Sequence, residues 1–374
     1  MQERFKYHFE PNKGWMNDPN GLVFYKGYYH AFFQHNPKAP KWDTMHWGHA
    51  ISMDLLNWEE CDIALYPDMD YEDDGGCFSG SAVEKDGRLY LFYTSVSHKL
   101  GQTQSVAYSD DGFHFTKYEG NPVISHYPED GSKEFRDPKV IKYEDHYLMV
   151  VGSCKDNKGR VLLYKSFDLL SWDYVGILYE ADDYSGPIEC PDLFYLKEQA
   201  LAEGTAGGYA QESKYILMYS RVDLRTHATQ FIVGTFDGQR FIQKKKCTPE
   251  MGPQFYAPQT FEAPDGRRIL IGWFYDWKME PEEGLEYAGA LTIPREVTLS
   301  NDKLLINPVM EAESLLVSED ENVIYDSKKL KVTGSVNIIP EYVGIIKKVS
   351  ILKDGKGLEI FINEGECSIS SWLT

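Results

Sequence analysis

The sequence predicts an all-β protein, and three observations carry that reading. One outline of turn, short apolar strand, turn and aromatic-rich strand recurs five times along the 374 residues. A second phrase follows four of the five copies, and apolar residues almost nowhere recur at the helical spacing. The first copy is NDPNGLVFYKGYYHAFFQ from Asn17 and the second FSGSAVEKDGRLYLFYTS from Phe78. The third is FRDPKVIKYEDHYLMVVGS from Phe135. The fourth begins IECPDLFYLK at Ile188 and resumes at KYILMYSRV, and the fifth is FYAPQTFEAPDGRRILIGWFYD from Phe255. Successive copies start roughly 55 to 65 residues apart, slightly above the usual period of propeller blades. The following phrase reads SMDLLNWEE, SDDGFHFTK, SFDLLSWDY and TFDGQRFIQ. Its Ser or Thr, Asp, turn and aromatic mark the last hairpin of a unit. Each unit then holds about four strands, which is one blade. Five units make a five-bladed β-propeller over residues 1–300, whereas a plain β-sandwich gives no reason for a matched phrase.

After LTIPREVTLSNDKLLINPV the composition shifts to Lys, Glu, Ile and Val. PVMEAESLL reads as a short helix behind a proline. The strands KLKVTGSVNII, VGIIKKVSIL and GLEIFINEGECSISSWL follow. Residues 309–374 are therefore read as a small, shortened C-terminal β-sandwich-like domain that leans on the propeller. Its size leaves room for a partner subunit.

Composition narrows the function classes. Subtracting 58 acidic from 38 basic residues gives −20, which argues against nucleic acid or an anionic membrane as the main partner. No apolar run approaches a membrane span, and MQERFKYHFEP carries no leader-type apolar segment. The six cysteines (Cys61, Cys77, Cys154, Cys190, Cys247, Cys367) are scattered without metal or redox spacing and read as free thiols. A cytoplasmic location is the expectation. The load of 26 Tyr and 8 Trp suits strands and sugar-binding surfaces alike.

In a propeller the innermost strands surround the axis, so the heads of the five units meet at one mouth. Three heads carry a carboxylate: Asp18 in NDPNG, Asp137 in FRDP and Glu189 in IECPD. Ser79 and Tyr256 stand there in the other two. Singly, each acid has a structural explanation: a turn for Asp18, an ion pair with Arg136 for Asp137. Glu189, between Ile188 and Cys190, occupies the more apolar setting of the kind that favours a protonated carboxyl. Together, three acids at one funnel point to glycosidic bond cleavage, which pairs a carboxylic acid with a carboxylate.

WMNDPNG (Trp15 to Gly21), FRDP (Phe135 to Pro138) and ECPDLF (Glu189 to Phe194) resemble the three signature motifs of the β-fructofuranosidase family, glycoside hydrolase family 32. HAFFQHNP, MHWGHAISMDLLNW, FSGSAV, FYAPQT, GALTIPRE and LEIFINEGE extend the resemblance over nearly the whole chain, in the family's order. The resemblance implies a retaining hydrolase that releases fructose from sucrose, sucrose 6-phosphate or short fructo-oligosaccharides. Asp18 would be the nucleophile, Glu189 the acid/base and Asp137 the transition-state stabiliser. Retention predicts carboxyl groups of Asp18 and Glu189 roughly 5 to 5.5 Å apart. Asn17, Gln34, Trp42, Phe78, Ser79, Arg136 and Trp273 would line the fructose pocket, with the three aromatics as apolar walls. No cofactor and no metal are implied; the partner is a small sugar.

Three departures from the family pattern stand out. Ile188 replaces an aromatic before Glu189, and Gln254 stands where Asp often precedes Phe-Tyr-Ala; both are expected near the leaving-group sugar. The C-terminal domain is shorter than the family's usual β-sandwich, with LEIFINEGE retained. A fructosyltransferase would share the site. A non-catalytic sugar-binding propeller is the rival of another class, opposed by retention of all three acids. Arabinan- or xylan-cleaving propellers lack the NDPNG and ECPD phrasing. The acidic stretch Asp68 to Gly76 lacks the pattern of a calcium loop and reads as a solvated rim loop. His46 and His49, three apart on a strand, face opposite sides and are given a structural role.

Overall fold

The computed structural model describes residues 4–197, 214–222, 228–281, 283–300 and 302–374. Five antiparallel sheets follow one another as blades. Their innermost strands are Gly14–Tyr25, Gly76–Lys85, Phe135–Tyr143, Ile188–Leu196 and Tyr256–Glu262. Each of these touches the innermost strands of the blades before and after it, and the fifth touches the first, so the ring is closed. Closure is reinforced at the seam, where Tyr287–Ala288 pairs in parallel with Gly14 and Trp15. The fifth sheet runs past the boundary expected at residue 300, because Lys303–Pro308 is its outermost strand, paired with Arg295–Ser300. The expected short helix is a 3₁₀ segment, Met310–Leu315.

The recurring phrase has a local cause. In all four copies the aspartate side chain accepts the backbone N–H groups two and three residues on. Asp54 takes Leu56 and Asn57, and Asp111 takes Phe113 and His114. Asp168 takes Leu170 and Ser171, and Asp237 takes Gln239 and Arg240. This is an Asx turn that replaces the ladder bonds the chain loses on reversing. The residue after the aspartate has positive φ in every copy. Gly112 and Gly238 adopt it freely, whereas Leu55 and Leu169 do so under strain. In those two copies the tryptophan Nε1–H, Trp58 or Trp172, donates to the strained leucine's carbonyl.

Beyond the propeller lie two three-stranded sheets, built from residues 323–343 and 349–372. They share one core that includes Leu330, Ile351, Leu358, Ile360 and Ile369. A buried ionic network mounts them on the fifth blade. Arg295, with no exposed surface, donates to Glu250 at 2.7 Å and to Glu359 at 2.7 Å. Glu250 also accepts the Ser370 N–H and the Ser368 hydroxyl. Glu359 and Asp354 flank His8, each 3.0 Å from one ring nitrogen. Burial opposes charge on His8, but the two carboxylates outweigh it and raise its pKa. Burial likewise pushes Asp354 up, and its bonds from His8 and from the Lys6 and Tyr7 N–H groups overturn that, to about 2.

Breaking this network strands buried charge. Glu359→Ala is expected to cost about 3–5 kcal/mol in urea unfolding, whereas Lys303→Ala, at an exposed pair with Glu366, costs under about 1 kcal/mol. The lowered pKa of Asp354 means its contribution is complete above about pH 4 and is lost as pH falls toward 2. Asp354→Asn should therefore show a flatter loss of stability between about pH 4 and pH 2 than the parent, measured as denaturation midpoints.

Candidate active site

All five innermost strands carry a β-bulge at the same level, two residues facing one on the neighbouring strand. The bulged pairs are Asn17–Asp18, Phe78–Ser79, Asp137–Pro138, Cys190–Pro191 and Ala257–Pro258. Asp137, Cys190 and Ala257 have φ of +65°, +46° and +47°, a conformation that side chains with a Cβ adopt at a cost. In the third, fourth and fifth blades the first residue of the bulge gives its backbone N–H to a side chain of a neighbouring blade. Asp137 N–H donates to Thr94 Oγ1 at 2.9 Å, Ala257 N–H to Ser220 Oγ at 3.2 Å, and Cys190 N–H to Asp137 Oδ2 at 2.9 Å. In the fourth blade the acceptor is thus one of the candidate carboxylates.

The register corrects one expectation. The three acids do not share a repeat position. Glu189 precedes its bulge, Asp137 is first in its bulge and Asp18 second in its own. They meet because the bulges turn successive positions toward the same axis. Asp18 Oδ2 accepts the Ser79 hydroxyl at 2.6 Å, and Oδ1 accepts Asn17 Nδ2 at 3.0 Å. Trp15 Nε1 holds the Asn17 amide from behind, donating to its Oδ1 at 2.8 Å. Glu189 Oε1 accepts Arg136 Nη2 at 2.8 Å and Nε at 3.2 Å, and Oε2 accepts the Tyr256 hydroxyl at 2.5 Å. Cys190 Sγ lies between the other two acids, 3.5 Å from Asp18 and 3.6 Å from Asp137.

Burial pushes the Asp18 carboxyl up; Ser79 and Asn17 pull it back, and the Glu189 charge raises it again, so it stays above the usual range. Asp137 is 4% exposed. Burial pushes it up, Arg136 pulls it down, and Glu189 and Asp18 push it up, to about 7. Burial also raises the Cys190 thiol and the Tyr256 hydroxyl well above their ordinary values, so both remain proton donors to the acids. Below the acids the axis is filled by residues that directly follow the bulges. Lys139 pairs with Asp192 at 3.1 Å, Asp192 accepts Thr260 N–H at 2.7 Å, and Gln259 donates to Gly80 O at 2.8 Å.

Glu189 is not the acid in the most apolar setting. Its side chain is 21% exposed and ringed by Arg136 and Tyr256. Its sequence neighbour Ile188 points the other way, into the core between the third and fourth blades, as alternation along a strand dictates. Ile188 therefore does not reach the leaving-group side of the mouth. Gln254 does not either: fully enclosed, it accepts the Trp372 N–H at 3.2 Å and serves the contact with the C-terminal sheets. Trp273 has no exposed surface and packs among Trp15, Tyr256 and Trp277. It backs the pocket rather than forming a wall. Trp42, 46% exposed, stands at the rim edge-on to Phe78 at 6.1 Å. Gln34 lies opposite the first bulge and donates to Cys77 O.

The acidic stretch is not simply solvated. Glu72 is buried and accepts the Tyr93 hydroxyl at 2.7 Å and Lys117 Nζ at 2.5 Å. His49 stacks on Phe32 and lies 2.9 Å from His30. Among the described residues no group of three or more His, Cys, Asp and Glu is arranged to hold a metal ion, and no helix is long and apolar enough to cross a membrane. Sequence reasoning placed Tyr256 at the mouth without a role and counted Cys190 only as a thiol. Thr94 and Ser220 carried no signal, because their importance comes from the neighbouring blade. The raised pKa of Asp137 has a measurable sign. Between about pH 4 and 7 the folded protein keeps a proton that the unfolded chain has lost, so stability falls as pH rises. Asp137→Asn is expected to abolish that slope and to exceed the parent's stability at pH 8; superimposed pH–stability curves would refute the assignment.

The sequence profile described as Glycosyl hydrolases family 32 N-terminal domain matches residues 8–308. The sucrose-6-phosphate hydrolase of Escherichia coli is 40% identical over 83% of this chain and 65% of its own length. That of Zymomonas mobilis is 39% identical over 84% of this chain and 63% of its own. The levanase of Bacillus subtilis is 36% identical over 83% of this chain and 48% of its own. The chain thus spans less than two thirds of the length of these relatives. The GH32 β-fructofuranosidase BmSUC1 of Bombyx mori superposes with a TM-score of 0.84 at 30% identity, over 99% of this chain and 89% of that one. The sucrose-6-phosphate hydrolase of Lactobacillus gasseri shares the fold, with a TM-score of 0.82 at 23% identity over 99% and 88%. With a match running from His8 to the last strand of the fifth blade, the chain belongs to glycosyl hydrolase family 32.

Proposed function

We propose that the protein releases fructose from β-fructofuranosides by a retaining double displacement. The observation that carries this reading is the convergence of Asp18, Asp137 and Glu189 on one mouth, linked through Cys190 and Arg136. In the first step an Asp18 carboxylate oxygen bonds to the anomeric carbon of fructose. The glycosidic bond breaks, and its oxygen leaves with the proton of Glu189. Asn17 and Ser79 favour the ionised nucleophile by donating to both of its oxygens. In the second step water gives its proton to Glu189 and its oxygen to the anomeric carbon, and Asp18 is freed. The bonds at Glu189 suit this second role, since Arg136 and Tyr256 both donate to it and hold it as an acceptor. Asp137, fixed by the Cys190 N–H, would hold fructose hydroxyls and meet the charge that develops in the transition state.

Gln34, Trp42, Phe78 and Arg136 complete the proposed pocket, with Trp273 behind it. The names of the bacterial relatives, sucrose-6-phosphate hydrolase and levanase, support sucrose, its phosphate or a short fructan as substrate. The unbridged thiols fit an intracellular site of action. The deciding experiment compares fructose release from sucrose, sucrose 6-phosphate, kestose and inulin at fixed enzyme concentration. Release is expected from at least one, with free fructose matching the leaving sugar; silence on all four would overturn the proposal. Asp18→Asn is expected to lower kcat by about 10⁴-fold with the melting temperature retained, and unchanged turnover would sink the nucleophile assignment.

A further inference from the structure

We propose that Glu134 is a positioning residue for the acid/base step, acting on Glu189 through Arg136. The inference rests on the reading of Glu189 as acid/base. Glu134 lies two residues before Arg136, at the entry to the strand Phe135–Tyr143, where extended chain puts both side chains on one face. The guanidinium offers five donors in a rigid fork, and the structure divides them. Nε and Nη2 go to Glu189 Oε1. Nη1 goes to Glu134 Oε2, with Gln102 Oε1 at 3.4 Å on its other side. Gln102 is itself pinned by the Phe135 N–H at 2.7 Å, and Ser153 Oγ holds the Glu134 carbonyl at 2.6 Å. Glu134 thus clamps the outward edge of the guanidinium and turns the inward edge to Glu189, without any hydrogen bond to Glu189 itself.

The charge matters as much as the orientation. Glu189 faces Arg136 and Asp137 from the third blade, Asp18 from the first, Tyr256 from the fifth and Cys190 on its own strand. Arg136 is the cation that pairs with it. An arginine engaged by Glu189 alone would direct its whole charge at that one carboxylate. Sharing Arg136 with a second carboxylate offsets that pull. Glu134 is 31% exposed, so its influence is screened by solvent but not removed.

The test is the pH dependence of kcat/KM for sucrose, or whichever fructoside proves the best substrate, in the parent, Glu134→Gln and Glu134→Asp. Glu134→Gln keeps an acceptor for Nη1 but loses the charge. Its alkaline limb is expected to move toward acid by about half to one pH unit, while Glu134→Asp restores the parent profile. A p-nitrophenyl fructoside, whose leaving group needs little protonation, should show a much smaller shift. Melting temperatures close to the parent's would exclude a purely structural effect. Coincident alkaline limbs in the parent and Glu134→Gln, with fructose release intact, would overturn the role of Glu134 alone. An inactive parent on every fructoside would overturn the functional reading and this inference with it.

Discussion

The closed ring of five bulged inner strands is the constraint on which the rest of the structure depends. A strand that passes the axis without a bulge would alternate its side chains strictly between the two faces of its blade. The extra residue at one level re-aims the chain there, so that Glu189, Asp137 and Asp18 arrive together from three different positions of the repeat. The same irregularity frees N–H groups, and their capture by Thr94, Asp137 and Ser220 ties the second blade to the third, the third to the fourth and the fourth to the fifth. The joint between blades and the geometry of the mouth are one set of bonds.

Crowding acids at the end of a filled axis is costly, and the surroundings are arranged to limit the cost. Arg136 serves two carboxylates, Ser79 and Asn17 serve Asp18, and the Cys190 backbone and thiol serve Asp137. The compensation is incomplete at Asp137, which burial and its like-charged neighbours hold near pH 7. That residual strain marks where stability is given up for the site. It is balanced by parts of the molecule that do no chemistry, above all the fully satisfied network of Arg295, Glu250, Glu359, His8 and Asp354.

The two departures from the family pattern that lie beside the motifs answer to two different packing surfaces. Gln254 faces the C-terminal sheets and Ile188 faces the interior of the propeller. Neither side chain enters the mouth, which is left to Trp42, Phe78 and the polar groups around the acids. The proposed aglycone surface is accordingly set by the rim.

What the sequence by itself determined is whatever local chemistry repeats. Four of the five blades were legible in part because each ends on an Asx turn closed by an aspartate two and three residues before the N–H groups it binds. The three carboxylates were legible because they stand in matching units. Tertiary structure alone decided what depends on neighbours distant in the chain. Cys190 lies between Asp18 and Asp137, Glu72 is buried under Tyr93 and Lys117, and Trp273 is sealed behind the pocket. Glu189 is ringed by polar partners although its sequence neighbours are apolar. The physical reason is common to all four. A side chain's environment is set by the face it occupies and by the blade packed against that face, and ring closure fixes both only once the whole repeat has folded.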